Sequence, residues 1–492
     1  MTNSSSQKIF NNSIMYAIGT IASKAAAFIL VPIYTHNLTS AQYGIATTIT
    51  TFVATFGIVM MLSLRAAIIR FFNEYKDRER QVFIGTITIT VIVNSFVLSL
   101  LMIMLRNFYA DVFFKDIPFY PYVLLGIISL GTEGIYLTYQ SVLQAEQSGG
   151  KYSFNSFIYL LLNALLTIVF VVGMDLSVLG VVLSNMLTNA LFAVYGIITM
   201  FKNKYLIFVF DKKMFKKSIK YSLPILPHNL ANDMNNYASK IVINNYLSYA
   251  LTGIYSLASM FGSVVNLVQT SINLAFRPWF MEQMDNGKEG RHQIKYMTEM
   301  IMALFCFISV SVSLFSREVV LLFASEDYYT AWKIIPLFIF VQLITFIYYS
   351  HVQALMYNVK VSKFTSVCSI SGFITNVLVS LLLVRRLGVY GIVIAQLSSK
   401  IILSALAVIM SNRAEKVDFG LKKMIAYLIC AAVICAVGVL FTHLISSWMN
   451  VFLSVALRIM LVAVAFMMYI FVYIKDYKQL ISGLIKGGRN NG

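Results

Sequence analysis

Residues 235–246 read NNYASKIVINNY and place a lysine, Lys240, inside a segment that must cross a membrane. The triplet Ala-Ser-Lys also occurs at residues 22–24, in the first apolar run, where it carries Lys24. An ammonium group at membrane depth costs at least about 2.5–3.5 kcal/mol on insertion scales, so such a group is usually retained for a function. The duplication favours one shared role for both lysines; the alternative for Lys24 is that its side chain extends to the outer membrane surface.

The composition is that of a polytopic membrane protein. Of the 492 residues, 59% are hydrophobic and 12% are charged, and the mean hydropathy is +0.77. Apolar runs of about 20 residues, the length that a helix needs to cross the hydrocarbon core, recur along the whole sequence. We expect an all-α protein with about 14 transmembrane helices, near residues 11–33, 43–64, 83–105, 119–143, 153–173, 178–201, 218–244, 247–275, 296–315, 333–357, 364–384, 388–411, 424–442 and 450–474.

The formal net charge of +18 is explained by where the basic residues lie along the chain. With the amino terminus inside, most of the 38 lysines and arginines fall in cytoplasmic connections, as the positive-inside rule requires. This asymmetry predicts that both termini are cytoplasmic, and it predicts membrane lipids rather than nucleic acid as the partner of the basic segments.

Two similar halves follow one another along the chain. Tyr136 and Lys151 in the first half recur at the same spacing as Tyr348 and Lys363 in the second. Six helices followed by six similar helices in the same orientation predict two bundles related by a pseudo-two-fold axis along the membrane normal, with two further helices at the carboxyl end. The expected domains are a first bundle at 1–201, a basic cytoplasmic linker at 202–217, a second bundle at 218–412, and the last two helices with a tail at 413–492.

The segment 218–246 is too polar to face lipid along its whole length. Steps of four, three, four and four residues place five side chains on one stripe of a helix: Asn229, Asp233, Asn236, Lys240 and Asn244. Amide groups suit hydrogen bonding to a sugar-rich substrate, and a pair of cations in a dry cavity attracts phosphate. We therefore predict a substrate site that contains Lys24, Lys240, Arg65, Arg277, Asn229, Asn236, Asn266 and Asn273.

Two carboxylates lie within predicted helices, Glu133 and Asp233. Either could bind a proton or a sodium ion and so couple transport to a gradient. The alternative is a simple charge balance, in which Asp233 pairs with Lys240 two helical turns away. For Arg65 and Arg277 the alternative is anchoring at the inner ends of their helices.

Sequence signals of catalysis are missing. The chain has no GxxxxGK[ST] phosphate-binding loop, and its four cysteines lack the spacing of a zinc site. We expect a protein that is not an enzyme and that needs neither a metal nor an organic cofactor.

Three strings resemble the polysaccharide transporters, or Wzx-type flippases, of the multidrug/oligosaccharidyl-lipid/polysaccharide (MOP) exporter superfamily. They are VPIYTHNLTSAQYG (Val31 to Gly44), LRAAIIRFFNE (Leu64 to Glu74) and YSLPILPHNL (Tyr221 to Leu230). The resemblance covers about the first 475 residues and includes the duplicated helices.

This resemblance implies a flippase that moves undecaprenyl-pyrophosphate-linked oligosaccharide repeat units across a bacterial plasma membrane by alternating access. The transported repeat units would be used in capsule, O-antigen or exopolysaccharide synthesis. A polysaccharide polymerase and glycosyltransferases would work in the same pathway as the flippase. Lys24, Lys240, Arg65 and Arg277 are the residues that could handle the pyrophosphate. Two alternatives of the same fold stay open: a cation-coupled multidrug antiporter, which would depend on Glu133 or Asp233, and a lipid II flippase.

Overall fold

All regular structure is helical in the part of the chain that the computed structural model describes, which comprises residues 28, 30–358, 361, 364–445, 456 and 458–467. The helices are α1 (Ser40–Met60), α2 (Arg65–Phe71), α3 (Asp77–Met104), α4 (Arg106–Phe113), α5 (Leu124–Ala145), α6 (Gly149–Thr167), α7 (Ser177–Lys202), α8 (Lys212–Ser222), α9 (Leu226–Tyr246), α10 (Tyr249–Asp285), α11 (Gly287–Leu314), α12 (Ser316–Phe323), α13 (Ile335–Tyr357), α14 (Phe364–Leu387), α15 (Val389–Ala414), α16 (Leu421–Ile445) and α17 (Arg458–Met467).

Eleven of the described helices are long and apolar enough to cross a membrane: α1, α3, α5 with the preceding turn, α6, α7, α10, α11, α13, α14, α15 and α16. Each coincides with one of the predicted segments, so the all-α membrane fold is confirmed. The predicted segment 218–244 forms α9, which is too polar to be among the eleven. The predicted segment 11–33 lies mostly outside the described residues, and of 450–474 mainly the stretch of α17 is described.

The polar segment divides at its prolines. Pro224 lies in a short 3-10 turn, Leu223–Ile225, and Pro227 lies in the first turn of α9. Because proline has no N–H to donate and fits the first turn of a helix, α8 ends and α9 begins at this point. The single helix expected from residue 218 is therefore two helices joined by a turn.

The chain separates into two compact units. The first contains the described residues up to Ser256, together with Phe323–Tyr328 and Asn376–Ile392. The second contains Leu257–Leu322, Tyr329–Thr375 and the described residues from Val393 onward. The four domain ranges expected from the repeat remain a prediction.

In the first unit, α5 packs against α1, α3 and α7. The α3–α5 interface is apolar, with Ile87 and Val91 of α3 among the buried residues that cluster with Val142 and Leu143 of α5. This packing holds α1 in place, and α1 is the helix against which the polar helix α9 lies.

The basic connection before α9 is also packed against the first unit. The carbonyl of Ile207 lies so close to Gly85 of α3 that a Cβ there would come within 1.9 Å of it. Thr86 of α3 accepts a hydrogen bond from the backbone N–H of Asp211 at 2.9 Å, and Asp211 caps α8. Lys217 of α8 donates to Glu74, and this hydrogen bond raises the pKa of the lysine. The connection is therefore a docked part of the first unit.

In the second unit, α11 packs against α13 and α16 around a core that includes Met302, Phe305, Leu343 and Met424. Ion pairs join α11 to the residues that connect α15 with α16, among them Lys295 with Asp418 at 2.5 Å.

Candidate functional site

Lys240 is buried against α1. Its ammonium group donates to the hydroxyl of Thr51 at 2.7 Å and to the carbonyl of Thr47 at 3.1 Å, and the residue is 8% exposed. Among the described residues no carboxylate forms an ion pair with it, and Asp233 is exposed. The alternative in which Asp233 neutralises Lys240 is therefore not what the structure shows.

Three members of the predicted stripe face α1 and the residues that follow it. The amide of Asn244 donates to Thr48 at 3.1 Å, and the amide of Asn229 donates to Ser63 at 3.3 Å. Lys240 lies between these two contacts, so the stripe runs antiparallel to α1. These three residues contact protein, as is consistent with a segment too polar to face lipid along its whole length.

The partners of the stripe on α1 and α10 are not among the residues predicted from the sequence. The hydroxyl of Thr252 donates to Asn244 at 2.6 Å, and the hydroxyls of Thr47 and Ser256 are hydrogen-bonded at 2.9 Å. The run TTITT at residues 47–51 could have predicted this polar face of α1, because Thr47 and Thr51 are four residues apart and so share a helix face.

Backbones meet at the amino-terminal ends of α1 and α10. A Cβ on Gly44 would lie 1.9 Å from the carbonyl oxygen of Tyr249, and a Cβ on Gly253 would lie 2.0 Å from that of Ser40. Only glycine permits an approach this close. The backbones of α1 and α10 are therefore in contact at this end of the first unit, an arrangement here called the closed state, and the predicted topology places this end on the outer side.

The end of α4 and the residues that follow it contact α9. Phe113 stacks on Tyr237 of α9, with ring centroids 5.9 Å apart and planes 3° apart. The amide of Asn245 donates to the carbonyl of Val112 at 2.9 Å, and Lys115 donates to the carbonyl of Asn245 at 3.2 Å.

The remaining predicted residues of the first unit do not share the buried surroundings of Lys240. Asp233 and Asn236 are exposed on α9, although Asn236 lies only one helical turn before Lys240. Arg65 is exposed at the start of α2 and donates to Gln144 at 2.9 Å. Lys24 lies outside the described residues.

In the second unit the predicted amides contact α13. Asn266 donates to the side chain of Gln342 at 3.2 Å, and Asn273 accepts a hydrogen bond from Gln353 at 3.0 Å. Arg277, on the same helix, is exposed. The two glutamines were not predicted from the sequence.

Glu133 of α5 borders a cavity of about 160 Å³ inside the first unit. Its Oε2 atom is buried without a hydrogen-bond partner in the described structure. The other residues that line the cavity are Ile49, Thr50, Val53, Ala54, Gly126, Ser129, Tyr159, Val182, Asn185 and Asn189. Asp233 is not among them, so the two predicted coupling carboxylates do not share a site. The described residues contain no cluster of three or more metal-ligating acids, histidines or cysteines.

A family model described as polysaccharide biosynthesis protein matches residues 9–284, more than half of the chain. The chain belongs to the polysaccharide biosynthesis protein family. Among similar proteins, a protein of the Lsg locus of Haemophilus influenzae is 24% identical to this chain over 312 residues, which are 62% of this chain and 73% of the relative. An uncharacterized membrane protein of the same organism is 23% identical over 373 residues, 74% of this chain and 87% of the relative.

Solved structures show that this family member has the MOP exporter fold. The lipid II flippase MurJ in an inward closed conformation aligns with a TM-score of 0.72 at 13% identity, over 95% of this chain and 100% of that chain. A point mutant of the Vibrio cholerae MATE transporter VcmN aligns with a TM-score of 0.59 at 14% identity, over 84% of this chain and 98% of that chain. These neighbours are a flippase and a transporter rather than enzymes.

Proposed function

We propose that this protein is a flippase that moves polyprenyl-pyrophosphate-linked oligosaccharide across the bacterial plasma membrane, with both termini in the cytoplasm. The family supports a role in polysaccharide biosynthesis, and the fold is shared with a lipid II flippase and with drug exporters. Polysaccharide polymerase and glycosyltransferases are the enzymes expected beside it.

The observation that carries the proposal is the chemistry around Lys240. Its ammonium group is buried against α1, a helix long and apolar enough to cross a membrane, and is bonded to one hydroxyl and one carbonyl of that helix. Neutral oxygens solvate a cation but do not neutralise it, and a charge at this depth is strongly drawn to an opposite charge. A pyrophosphate supplies that opposite charge, whereas a cationic drug would be repelled.

In the proposed cycle, Arg65 and Arg277 attract the headgroup from the cytoplasm. Lys240, together with Lys24, holds the pyrophosphate, and the amides of Asn229, Asn236, Asn266 and Asn273 bind sugars. The prenyl chain stays in lipid throughout. Rearrangement of the two units then exposes the headgroup to the other side.

Headgroup accessibility in proteoliposomes tests this function. The vesicles contain a labelled polyprenyl-pyrophosphate oligosaccharide in the inner leaflet, and an impermeant sugar-modifying reagent is added outside. We expect protein-dependent modification that the Lys24→Met/Lys240→Met variant loses. The proposal fails if no such lipid becomes accessible while the protein exports a cationic dye and loses this export in Asp233→Asn or Glu133→Gln; the chain would then be a drug antiporter.

A further inference from the structure

The connection between α15 and α16 borders a cavity of about 340 Å³ within the second unit. The predicted topology places this end of the unit at the cytoplasmic surface. Cavities that hold small molecules have volumes of about 300–1,000 Å³, so the space suits one small ligand. Its lining comprises His351 of α13, Asn412 of α15, and Lys416, Val417, Asp418, Phe419 and Leu421 of the connection and the start of α16.

His351 is the buried polar residue of this lining, with 2% of its surface exposed. Its Nδ1 atom bonds to the backbone carbonyl of Ile347 at 2.9 Å, and its ring packs on Phe419 with centroids 4.4 Å apart. A carbonyl oxygen only accepts hydrogen bonds, so this contact assigns the hydrogen of the neutral ring to Nδ1. The other nitrogen, Nε2, then presents a lone pair that has no partner in the described structure. Polar groups of buried residues normally have a partner, and a ligand in the cavity would supply one.

The charges of the lining leave one positive group without a counter-charge. Both carboxylate oxygens of Asp418 are engaged, one by Lys295 at 2.5 Å and the other by the backbone N–H of Gly420 at 2.9 Å. The ammonium group of Lys416 forms no ion pair among the described residues. The cavity therefore favours an anion that contacts Lys416.

Contacts of the connection hold Lys416 beside the cavity before any ligand binds. Arg291 of α11 donates to the carbonyl of Lys416 at 3.0 Å and pairs with Glu415 at 3.5 Å. A site that is already ordered loses little conformational entropy on binding. This order favours a small ligand that makes few contacts.

The side chains of the lining select the chemistry of the ligand. A metal ion is a poor fit, because the described residues contain no cluster of three or more acids, histidines or cysteines. A lysine ammonium and an asparagine amide both donate to phosphate oxygens, so Lys416 and Asn412 suit a phosphate group. A hydroxyl group on the same molecule would donate to the lone pair of His351. Val417 and Leu421 offer apolar contact to the carbon atoms between these two groups.

We propose that this cavity binds a phosphorylated polyol, either a free compound such as glycerol phosphate or the phosphoglycerol headgroup of a membrane lipid. Lys416 and Asn412 bind the phosphate, and His351 accepts the hydrogen bond of a hydroxyl. His351 lies six residues before Tyr357, the last residue of α13, which is about 9 Å along the helix, so both the cytoplasm and lipid headgroups are within reach. The site is in the second unit and does not rest on the proposed function.

Two pairs of probes, matched in charge, test the need for the hydroxyl. Binding of glycerol 3-phosphate and of methyl phosphate to the purified full-length protein is compared by equilibrium dialysis. Binding of phosphatidylglycerol and of phosphatidylmethanol is compared by native mass spectrometry. In at least one pair we expect the hydroxyl-bearing probe to bind about threefold to tenfold more tightly, the effect of one neutral hydrogen bond. The free pair and the lipid pair distinguish the two sources of the ligand.

Two variants assign this preference to the cavity. His351→Phe keeps a ring against Phe419 but has no lone pair, so it should bind the two probes of a pair equally. Lys416→Gln should bind both probes about tenfold to 100-fold more weakly, because one charge-assisted contact is lost. Lys422→Gln, at an exposed lysine outside the lining, is the control and should bind as the wild type does.

Asp418→Asn tests the sign of the ligand's charge. Asparagine still accepts from the Gly420 N–H, while the negative charge in the lining is lost. An anionic probe should therefore bind this variant more tightly than it binds the wild type. Weaker binding of the anionic probes would overturn the proposal.

Failure of both hydroxyl-bearing probes to bind would also overturn it and leave the cavity to water. Equal binding within both pairs, or binding that His351→Phe and Lys416→Gln leave unchanged, would contradict it too, since anionic lipid held elsewhere on the surface gives these results. Lys416 is exposed, so Lys416→Gln keeps the test informative if His351→Phe fails to fold. None of these measurements involves flipping, so their outcome is independent of the flippase assay.

Discussion

Lys240 is the residue whose surroundings most constrain the function. Its ammonium group is held against α1 by Thr51 and by the carbonyl of Thr47. This arrangement supplies donors and acceptors but no counter-charge, so the residue is ready to accept an anion.

Loss of the Thr51 hydroxyl should lower the free energy of unfolding, because the buried Lys240 then lacks a hydrogen-bond acceptor. In Thr51→Val the ammonium group loses its 2.7 Å acceptor while it stays buried. Leaving a buried charged donor short of a partner costs about 1–3 kcal/mol, so we expect a lower midpoint of thermal unfolding in detergent.

Thr90→Val is the matched control for that measurement. The Thr90 hydroxyl bonds to the carbonyl of Thr86 within its own helix and contacts no cation. Its midpoint should fall by less than that of Thr51→Val. Equal shifts in the two variants would mean that Lys240 does not depend on Thr51.

The contacts of single residues were only partly predictable from the sequence. Helical periodicity placed five side chains of α9 on one stripe. Asn229, Lys240 and Asn244 of that stripe contact protein, whereas Asp233 and Asn236 are exposed, because periodicity predicts a shared face and not how far a neighbouring helix covers it. The sequence could not identify the partners Thr48, Thr252 and Gln342, because partner choice depends on which helices pack together.

At the scale of the helices, the close contact of α1 with the start of α10 is a device that closes one end of the first unit. Gly44 and Gly253 each face a backbone carbonyl of the other helix. In Gly44→Ala the added methyl group would force these helices apart, at a cost of about 1–3 kcal/mol. We expect the closed state to become less populated by roughly fivefold to 100-fold.

Cysteine labelling measures this opening. Thr252→Cys is buried in the closed state and should react with an impermeant maleimide about tenfold or more faster in the Gly44→Ala background. Gly131→Ala is the control, since its nearest neighbour is the Ser99 hydroxyl at 3.4 Å, an ordinary contact distance. Unchanged labelling in Gly44→Ala would show that this contact does not close the unit.

The basic connection before α9 is a second element with a testable role. Its exposed lysines lie beside exposed Phe208, Val209 and Phe210, on a segment that is packed against α3. A Lys or Arg near an anionic membrane surface contributes about 1 kcal/mol of attraction. We expect the segment to hold anionic lipids at the cytoplasmic surface.

Glutamine substitution of four of these lysines, Lys212, Lys213, Lys216 and Lys220, should lower the retention of anionic lipid by the purified protein, measured by mass spectrometry. The wild type reconstituted in zwitterionic lipid gives the background signal of the measurement. Retention equal to that of the wild type would show that the lysines do not contact lipid headgroups.

At the scale of the whole molecule, the class of fold was predictable and the boundaries were less so. The apolar runs predicted every described spanning helix. Exposing polar groups to lipid is costly, so each spanning helix needs its own continuous apolar run. Pro224 and Pro227 divided one expected helix into two, and the docking of the connection on Gly85 depends on tertiary packing that hydropathy does not encode.

The orientation of the molecule follows from the basic residues and can be mapped. In a Cys430→Ser background, we expect Asn203→Cys and Glu289→Cys to be labelled from the cytoplasmic side, because their connections are lysine- and arginine-rich. Asp116→Cys and Asp327→Cys should be labelled from the outer side. The reverse pattern would invert the direction of the proposed cycle.

The central claim is that a buried lysine of the first unit binds the pyrophosphate during flipping. Its most direct test is the initial rate of headgroup exposure in proteoliposomes for Lys240→Met beside Lys400→Met, because Lys400 is a lysine on the spanning helix α15. A charge-assisted contact contributes about 1.5–3 kcal/mol, so Lys240→Met should flip about tenfold to 100-fold more slowly while Lys400→Met keeps the wild-type rate. A Lys240→Met protein that flips at the wild-type rate would contradict the account.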